Sequence, residues 1–122
     1  MREIKFRAWD SEKEEMAKVI SIGGEDITLQ DDEGDIWDSV MGYIAYPMQY
    51  TGIKDKNDVE IYEGDIVIKS QFGYDGTFQV LFVEESSGFF LKDAVSELWS
   101  MGSLNPIEVI GNIYENPELL NR

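Results

Sequence analysis

The stretch QYTGIKDKNDVEIYEGDIV, Gln49 to Val67, decides the reading of this chain. Lys54-Asp55-Lys56-Asn57-Asp58 is a polar cluster between two runs that carry apolar residues, Tyr50–Ile53 and Val59–Tyr62. Asn and Asp tolerate positive φ and hydrogen-bond their own backbone, so Asn57 and Asp58 mark a hairpin loop. Glu63-Gly64-Asp65 is a second tight turn, with Gly64 and Asp65 as its turn residues. It leads into Ile66-Val67-Ile68, a β-branched run that reads as a buried strand.

The pattern continues outward in both directions. Ile4-Lys5-Phe6-Arg7-Ala8-Trp9 alternates, with Ile4, Phe6 and Ala8 on one face and Lys5 and Arg7 on the other. Met16–Ile20 reads as its returning strand, Ile27–Leu29 as a short strand, and Ile36-Trp37 as the start of another. Val40–Tyr46 is too mixed in period to assign. Downstream, Phe72–Gly76 reads as a turn, Thr77–Val83 and Phe89–Leu91 as strands, and Glu108–Tyr114 as the last strand, with Gly111 marking a bulge. Asp93–Met101 carries Val95, Leu98 and Trp99 at helical spacing, with Asp93 as a cap. Asn116-Pro117 opens a short terminal helix over Glu118–Asn121.

Short strands separated by turn signals predict an all-β, mainly antiparallel fold in one compact unit. We read two small subdomains: residues 1–48 as an antiparallel meander, and residues 49–122 as a small SH3-like barrel with the terminal helical turn. The sequence shows no internal repeat, linker or low-complexity segment.

Three pieces together resemble the YopX family of phage and prophage proteins: IKFRAWD at Ile4–Asp10, the block Met48–Val67, and VIGNIYENPEL at Val109–Leu119. They lie at the start, middle and end of the chain. The resemblance implies an all-β fold, a homo-oligomer, and no catalytic residues. One departure is visible. The family usually places Asn-Gly where this chain has Asn57-Asp58, and Asp enters the left-handed region less readily than Gly.

Composition removes several chemistries. The 122 residues contain no Cys and no His. Disulfide frameworks, thiolate nucleophiles, Ser-His-Asp triads and the usual zinc sites therefore cannot be built. The expectation is no catalytic residue, no cofactor and no metal. The N-terminus is charged and has no apolar h-region, and no run reaches the length of a membrane span, so neither a signal peptide nor membrane association is expected. The cytoplasm of a bacterial host is the expected location.

The formal net charge is −15. Residues 1–20 hold five bases and five acids, whereas residues 21–48 hold seven acids and no base. Such a field repels phosphate backbones and favours basic partners or cations, so direct nucleic-acid binding is not expected. Asp31, Asp32, Glu33 and Asp35 are the densest acidic run and read as a solvated loop. Asp55, Asn57, Asp58 and Glu60 offer oxygen ligands, but Val59 stands where an EF-hand spacing needs another ligand, so they read as a structural turn. Lys5, Arg7, Trp9, Trp37 and Tyr62 are the candidate interface residues, because aromatic side chains bury area while keeping a polar handle. The leading expectation is a non-enzymatic accessory protein that binds itself and a basic host or phage protein. An acidic nucleic-acid mimic, with charges spaced like phosphates on one face, is the alternative. A carboxylate-based metal-dependent hydrolase, which needs a deep pocket lined by two or more carboxylates, is the distant third.

Overall fold

The structure, a computed structural model, describes residues 5–71, 74–93, 98–101 and 106–120. It is mainly antiparallel β, as the alternation and turn chemistry predict. The chain divides into two compact units, Met1–Tyr50 and Thr51–Arg122. The division falls inside a strand, just past the boundary read from the sequence.

In the first unit, β1 (Phe6–Asp10), β2 (Glu15–Gly23), β3 (Asp26–Gln30) and β4 (Ile36–Val40) form a meander. The next strand, β5 (Ala45–Lys54), does not continue it. It returns to β1, placing Ala8 opposite Pro47 and Trp9 opposite Tyr46, so the order is β4-β3-β2-β1-β5. The undecided run Val40–Tyr46 is the connection: Val40 ends β4, Gly42 takes φ +84°, and Ala45 opens β5. Alternation along β1 turns Ala8 and Asp10 inward, both essentially fully buried. Ala8, Ala17, Ile27, Leu29 and Ala45 form the core, with Val19, Trp37 and Met41 packed on it.

In the second unit, the last part of β5 hairpins with β6 (Glu60–Tyr62) around the Lys54–Asp58 cluster, and the Thr51 hydroxyl donates to the Ile61 carbonyl at 2.8 Å. Then β7 (Asp65–Gln71), β8 (Tyr74–Val83), β9 (Gly88–Lys92) and β10 (Leu98–Ser100) form a second meander, and β11 (Ile107–Asn112) returns to β7. The order is β10-β9-β8-β7-β11. Both units thus share one connectivity: four strands in sequence, and a fifth beside the first. The described pairings make the second an open five-stranded sheet, and closure into the expected SH3-like barrel is not among them. Ile66 and Val67, on opposite faces of β7, are both fully buried, as a continuous β-branched run implies. Ile61, Val67, Phe78, Val80, Leu91, Met101 and Ile107 form this unit's core. Gly111 lies at the register shift in β11, as expected.

Two local expectations are corrected. The helical spacing over Asp93–Met101 does not give a helix at its described end. Leu98–Ser100 is β10, with Trp99 opposite Leu91. The ring of Trp99 packs edge-on against Phe78 at 6.3 Å, and its indole N–H donates to Asp93 Oδ2 at 3.1 Å. Pairing with β9 outweighs a weak local preference, and the Asp93 side chain binds the indole. Residues 94–97 of that expectation lie outside the described residues. The expected turn at Phe72–Gly76 is also shorter, because Tyr74–Gly76 belong to β8, while 72–73 lie outside the described residues. At the C-terminus the helical turn is a 3-10 turn over Pro117–Leu120, with Asn121 outside the described residues. The side-chain oxygen of Asn116 turns back to accept the Asn112 N–H at 3.2 Å.

Candidate functional site

The first unit carries a cleft of about 410 Å³, within the size range of small-ligand pockets. It forms where the turn after β1 meets β4. Asp10, at the end of β1, is the pivot. Its Oδ1 accepts the backbone N–H groups of Glu12 and Lys13, both at 2.9 Å, and its Oδ2 accepts the Trp37 indole N–H at 2.8 Å. An Asp that binds the backbone two and three residues on is an Asx-type turn, and here it fixes the chain reversal into β2. That turn places Lys13 Nζ 4.0 Å from the centroid of the Trp37 ring, a cation–π contact. Glu12, Asp26 and Asp38 are also among its lining residues, with Asp26 and Asp38 on the strand face opposite Trp37, where the Thr28 hydroxyl donates to Asp38 Oδ1 at 2.8 Å.

Burial pushes the Asp10 carboxyl upward, but hydrogen bonds from the Lys13 N–H, the Trp37 indole and the Glu12 N–H outweigh it and leave the group below the ordinary aspartate range. Ser39 makes the smallest contribution. Its buried side chain lines the cleft beside Asp10.

A second buried carboxylate organises the other unit. Asp55 opens the loop between β5 and β6. Its Oδ1 accepts the N–H groups of Asn57 and Val59 at 2.8 and 2.9 Å, and its Oδ2 accepts the Val109 N–H of β11 at 2.9 Å. The Lys56 N–H donates to the Ile107 carbonyl at 3.0 Å, and Lys56 Nζ lies 3.4 Å from Glu108. The loop thus lies along the outer edge of β11 and satisfies backbone groups that an edge strand would otherwise present to another chain. Burial raises the Asp55 carboxyl; the N–H groups of Val109, Val59 and Asn57, with the Lys56 charge, bring it below its ordinary range.

The turn residues read from the sequence are placed as follows. Asp58, at φ +67°, occupies the left-handed region, with Lys54 Nζ 3.7 Å away at the surface. Gly64 takes φ +89°, and Asp65 accepts the Tyr62 N–H at 2.7 Å. Asn57 donates its N–H to Asp55. The four oxygen-bearing residues of that loop do not converge as a ligand set: Asp55 faces backbone donors, Asp58 faces Lys54, and Glu60 Oε1 accepts the Tyr62 hydroxyl at 3.4 Å. In the acidic run, Asp31, Glu33 and Asp35 bring carboxylate oxygens within 4.8 Å of one another, while Asp31 Oδ1 accepts the N–H groups of Glu33 and Asp35.

Of the five candidate interface residues, Lys5, Arg7, Trp9 and Trp37 belong to the first unit and Tyr62 to the second. Lys5 sits over the Tyr50 ring at 5.1 Å, and Arg7 reaches Met48 Sδ at 3.9 Å. Trp9 is half-buried in β1, Tyr62 lies in β6 of the other unit, and Trp37 is a wall of the cleft. Asp10 escaped the sequence reading as a site residue, and so did the bonding of Asp55. The signal that marks both is local: an Asp at a strand end followed by a polar turn.

The depressed carboxyls predict the acid limb of stability. A carboxyl with a lowered folded-state value contributes stability above its unfolded value, and the contribution is lost as pH falls through the folded value. For Asp10 and Asp55 that window lies below about pH 4. The urea midpoint of the wild type should therefore exceed that of Asp55→Asn at neutral pH, and the gap should narrow below about pH 4. A gap independent of pH would show that the charge of Asp55 does not matter.

Two small antiparallel units of one connectivity, held by buried Asx turns and carrying an acid-lined aromatic cleft, define the class of this protein. The chain belongs to the YopX protein family, whose match covers residues 5–121. It is similar to protein EF1440 from Enterococcus faecalis, known from a crystal structure: the two are 27% identical over 98% of this chain and 99% of that one, with a TM-score of 0.68. No curated protein matches it. Among the described residues no helix is long and apolar enough to cross a membrane.

Proposed function

We propose that this chain is a non-enzymatic phage or prophage accessory protein that self-assembles and binds a basic protein partner in the bacterial cytoplasm. The observation that carries this reading is the commitment of two of the buried carboxylates, Asp10 and Asp55. Asp10 and Asp55 each accept three hydrogen bonds from the protein's own N–H groups, which is the bonding of structural anchors. A general base needs lone pairs available to substrate and a proton affinity near the working pH. Both carboxyls are shifted the other way. The charge of −15 favours a basic partner, and the exposed Ile20, Ile22 and Ile36 supply apolar contact area in the first unit.

The acid-lined cleft is the observation that favours a carboxylate hydrolase instead. That reading requires a turnover abolished by changing Asp26 or Asp38. Affinity capture from lysogenic cells, with identification of what is retained, tests the leading one; a captured basic protein that binds the purified chain directly is the expected result.

Assembly is expected to persist or strengthen in moderate salt, because screening weakens repulsion between acidic copies over a Debye length of about 8 Å. Light scattering across a salt series checks this. A monomer at every salt concentration overturns self-assembly, and dissociation on adding salt would indicate an interface held by ion pairs.

A further inference from the structure

We infer that the open edge of β4 is a docking site for an extended strand of a basic partner protein, which pairs with it main chain to main chain and sets a lysine or arginine opposite Asp38. The inference deepens the binding-module reading and rests on it.

The free backbone groups of β4 follow from its register. β4 ends its sheet and, among the described strands, pairs with β3 alone. At one end of that ladder the Met41 N–H donates to the Glu25 carbonyl at 2.8 Å, and at the other the Asp31 N–H donates to the Asp35 carbonyl at 3.0 Å. Hydrogen-bonded pairs recur at every second residue of an antiparallel ladder, so the bonded pairs between those ends are Ile27 with Ser39 and Leu29 with Trp37. Ile36, Asp38 and Val40 therefore turn their N–H and C=O groups away from the sheet. The Val40 carbonyl accepts the Ile44 N–H at 3.0 Å. Among the described residues, nothing bonds the Val40 N–H or the N–H and C=O groups of Ile36 and Asp38.

The edge of β11 is closed by the Asp55 loop, which takes the Val109 N–H and the Ile107 carbonyl. β4 has no such cover: Ile36 is 60% exposed and Asp38 is exposed. The cleft of this unit also follows the edge. Trp37 and Ser39 lie on one face of β4, Asp38 and Val40 on the other, and all four line it. A hollow that touches both faces of a strand runs along its edge, where an added strand lies.

Charge decides the occupant. On one face of that edge β4 presents Ile36, Asp38 and Val40, an acid between two apolar residues. Asp26 stands opposite Val40, Asp35 precedes Ile36, and residues 21–48 hold no base. A second copy would bring its own Asp38 and its own Asp31–Asp35 run to the seam, setting like charge against like. A strand with a basic residue two positions from an apolar one on either side matches all three side chains. A charge on an edge strand turns away most strands. A basic strand converts the same charge into a cross-strand pair, so Asp38 acts as a selector.

The test is an NMR titration of the labelled full chain with the peptide Ac-Val-Thr-Arg-Thr-Val-amide. One control peptide has glutamate at its centre. Another is N-methylated at the arginine and the second valine, which removes two strand donors and keeps the charge. Saturable shifts and slowed hydrogen exchange are expected at the amides of Ile36, Asp38 and Val40. Those of Trp37 and Ser39, already bonded to β3, should keep their exchange rates. The arginine peptide should bind about 2–5-fold tighter than the glutamate peptide, the equivalent of one cross-strand charge pair. Asp38→Lys, at an exposed edge position, should reverse that preference. No saturable shift with the arginine peptide overturns the inference, as does equal binding of the N-methylated peptide. A preference unchanged in Asp38→Lys overturns the selection by charge. Shifts at the same three amides on raising the protein concentration alone would give the edge to a second copy and overturn the basic strand as occupant. Capture from lysogenic cells can succeed through another surface, so the edge can fail while the module reading stands.

Discussion

Asp55→Ala should destabilise the second unit more than any other single change outside the core. The substitution removes the acceptor for three N–H groups: Asn57, Val59 and Val109. Each donor left buried without a partner costs about 1–3 kcal/mol, and even with partial access to water the total should reach about 3 kcal/mol. The loss is not only local. The Val109 N–H lies 54 residues away in sequence, and its bond to Asp55 holds the loop on the edge of β11. Freed from that contact, β11 presents an open edge, so the variant should aggregate more readily than the wild type. Asp55→Asn keeps the volume and one acceptor oxygen and should fall between the two. Urea unfolding at neutral pH measures the order. A midpoint for Asp55→Ala equal to that of the wild type would mean that the loop is not an anchor.

Gly64→Val should cost about 1–3 kcal/mol, the range for a backbone held in a sparsely populated region. Gly64 takes φ +89°, a conformation that a β-branched residue does not reach without strain. The backbone has no freedom to relax there. The Gly64 N–H donates to the Val80 carbonyl at 2.8 Å, and its own carbonyl accepts the Ile113 N–H at 2.9 Å. Those bonds tie the turn to β8 and to the residue after β11, so rotating φ to a negative value breaks both. Gly64→Ala should show the same effect at smaller size, since Ala tolerates positive φ better than a β-branched side chain. A Gly64→Val protein with an unchanged urea midpoint would refute the strain argument.

What the sequence alone determined was local and periodic. Alternation in Phe6–Trp9, the β-branched run Ile66–Ile68, and Gly or Asp at the turns were enough for the strand content and for most strand positions. The residues of three motifs were enough for the family. Those signals are written in nearest neighbours, where side-chain shape and φ preference act directly. Residues 98–100 show where that reading stops. Leu98 and Trp99 fit a helical spacing, yet they form β10, because β9 offers a ladder and Phe78 offers a ring. The shared connectivity of the two units was also hidden. Nothing in the residues of β5 says that it passes over β4 to pair with β1, and the choice depends on which edge is open once the meander exists. The cleft is the furthest case. Asp10 and Trp37 stand 27 residues apart, and neither signals the other. Only the folded sheet brings that indole to that carboxylate and lays Lys13 across the ring, since contact between distant residues is a property of strand order and register.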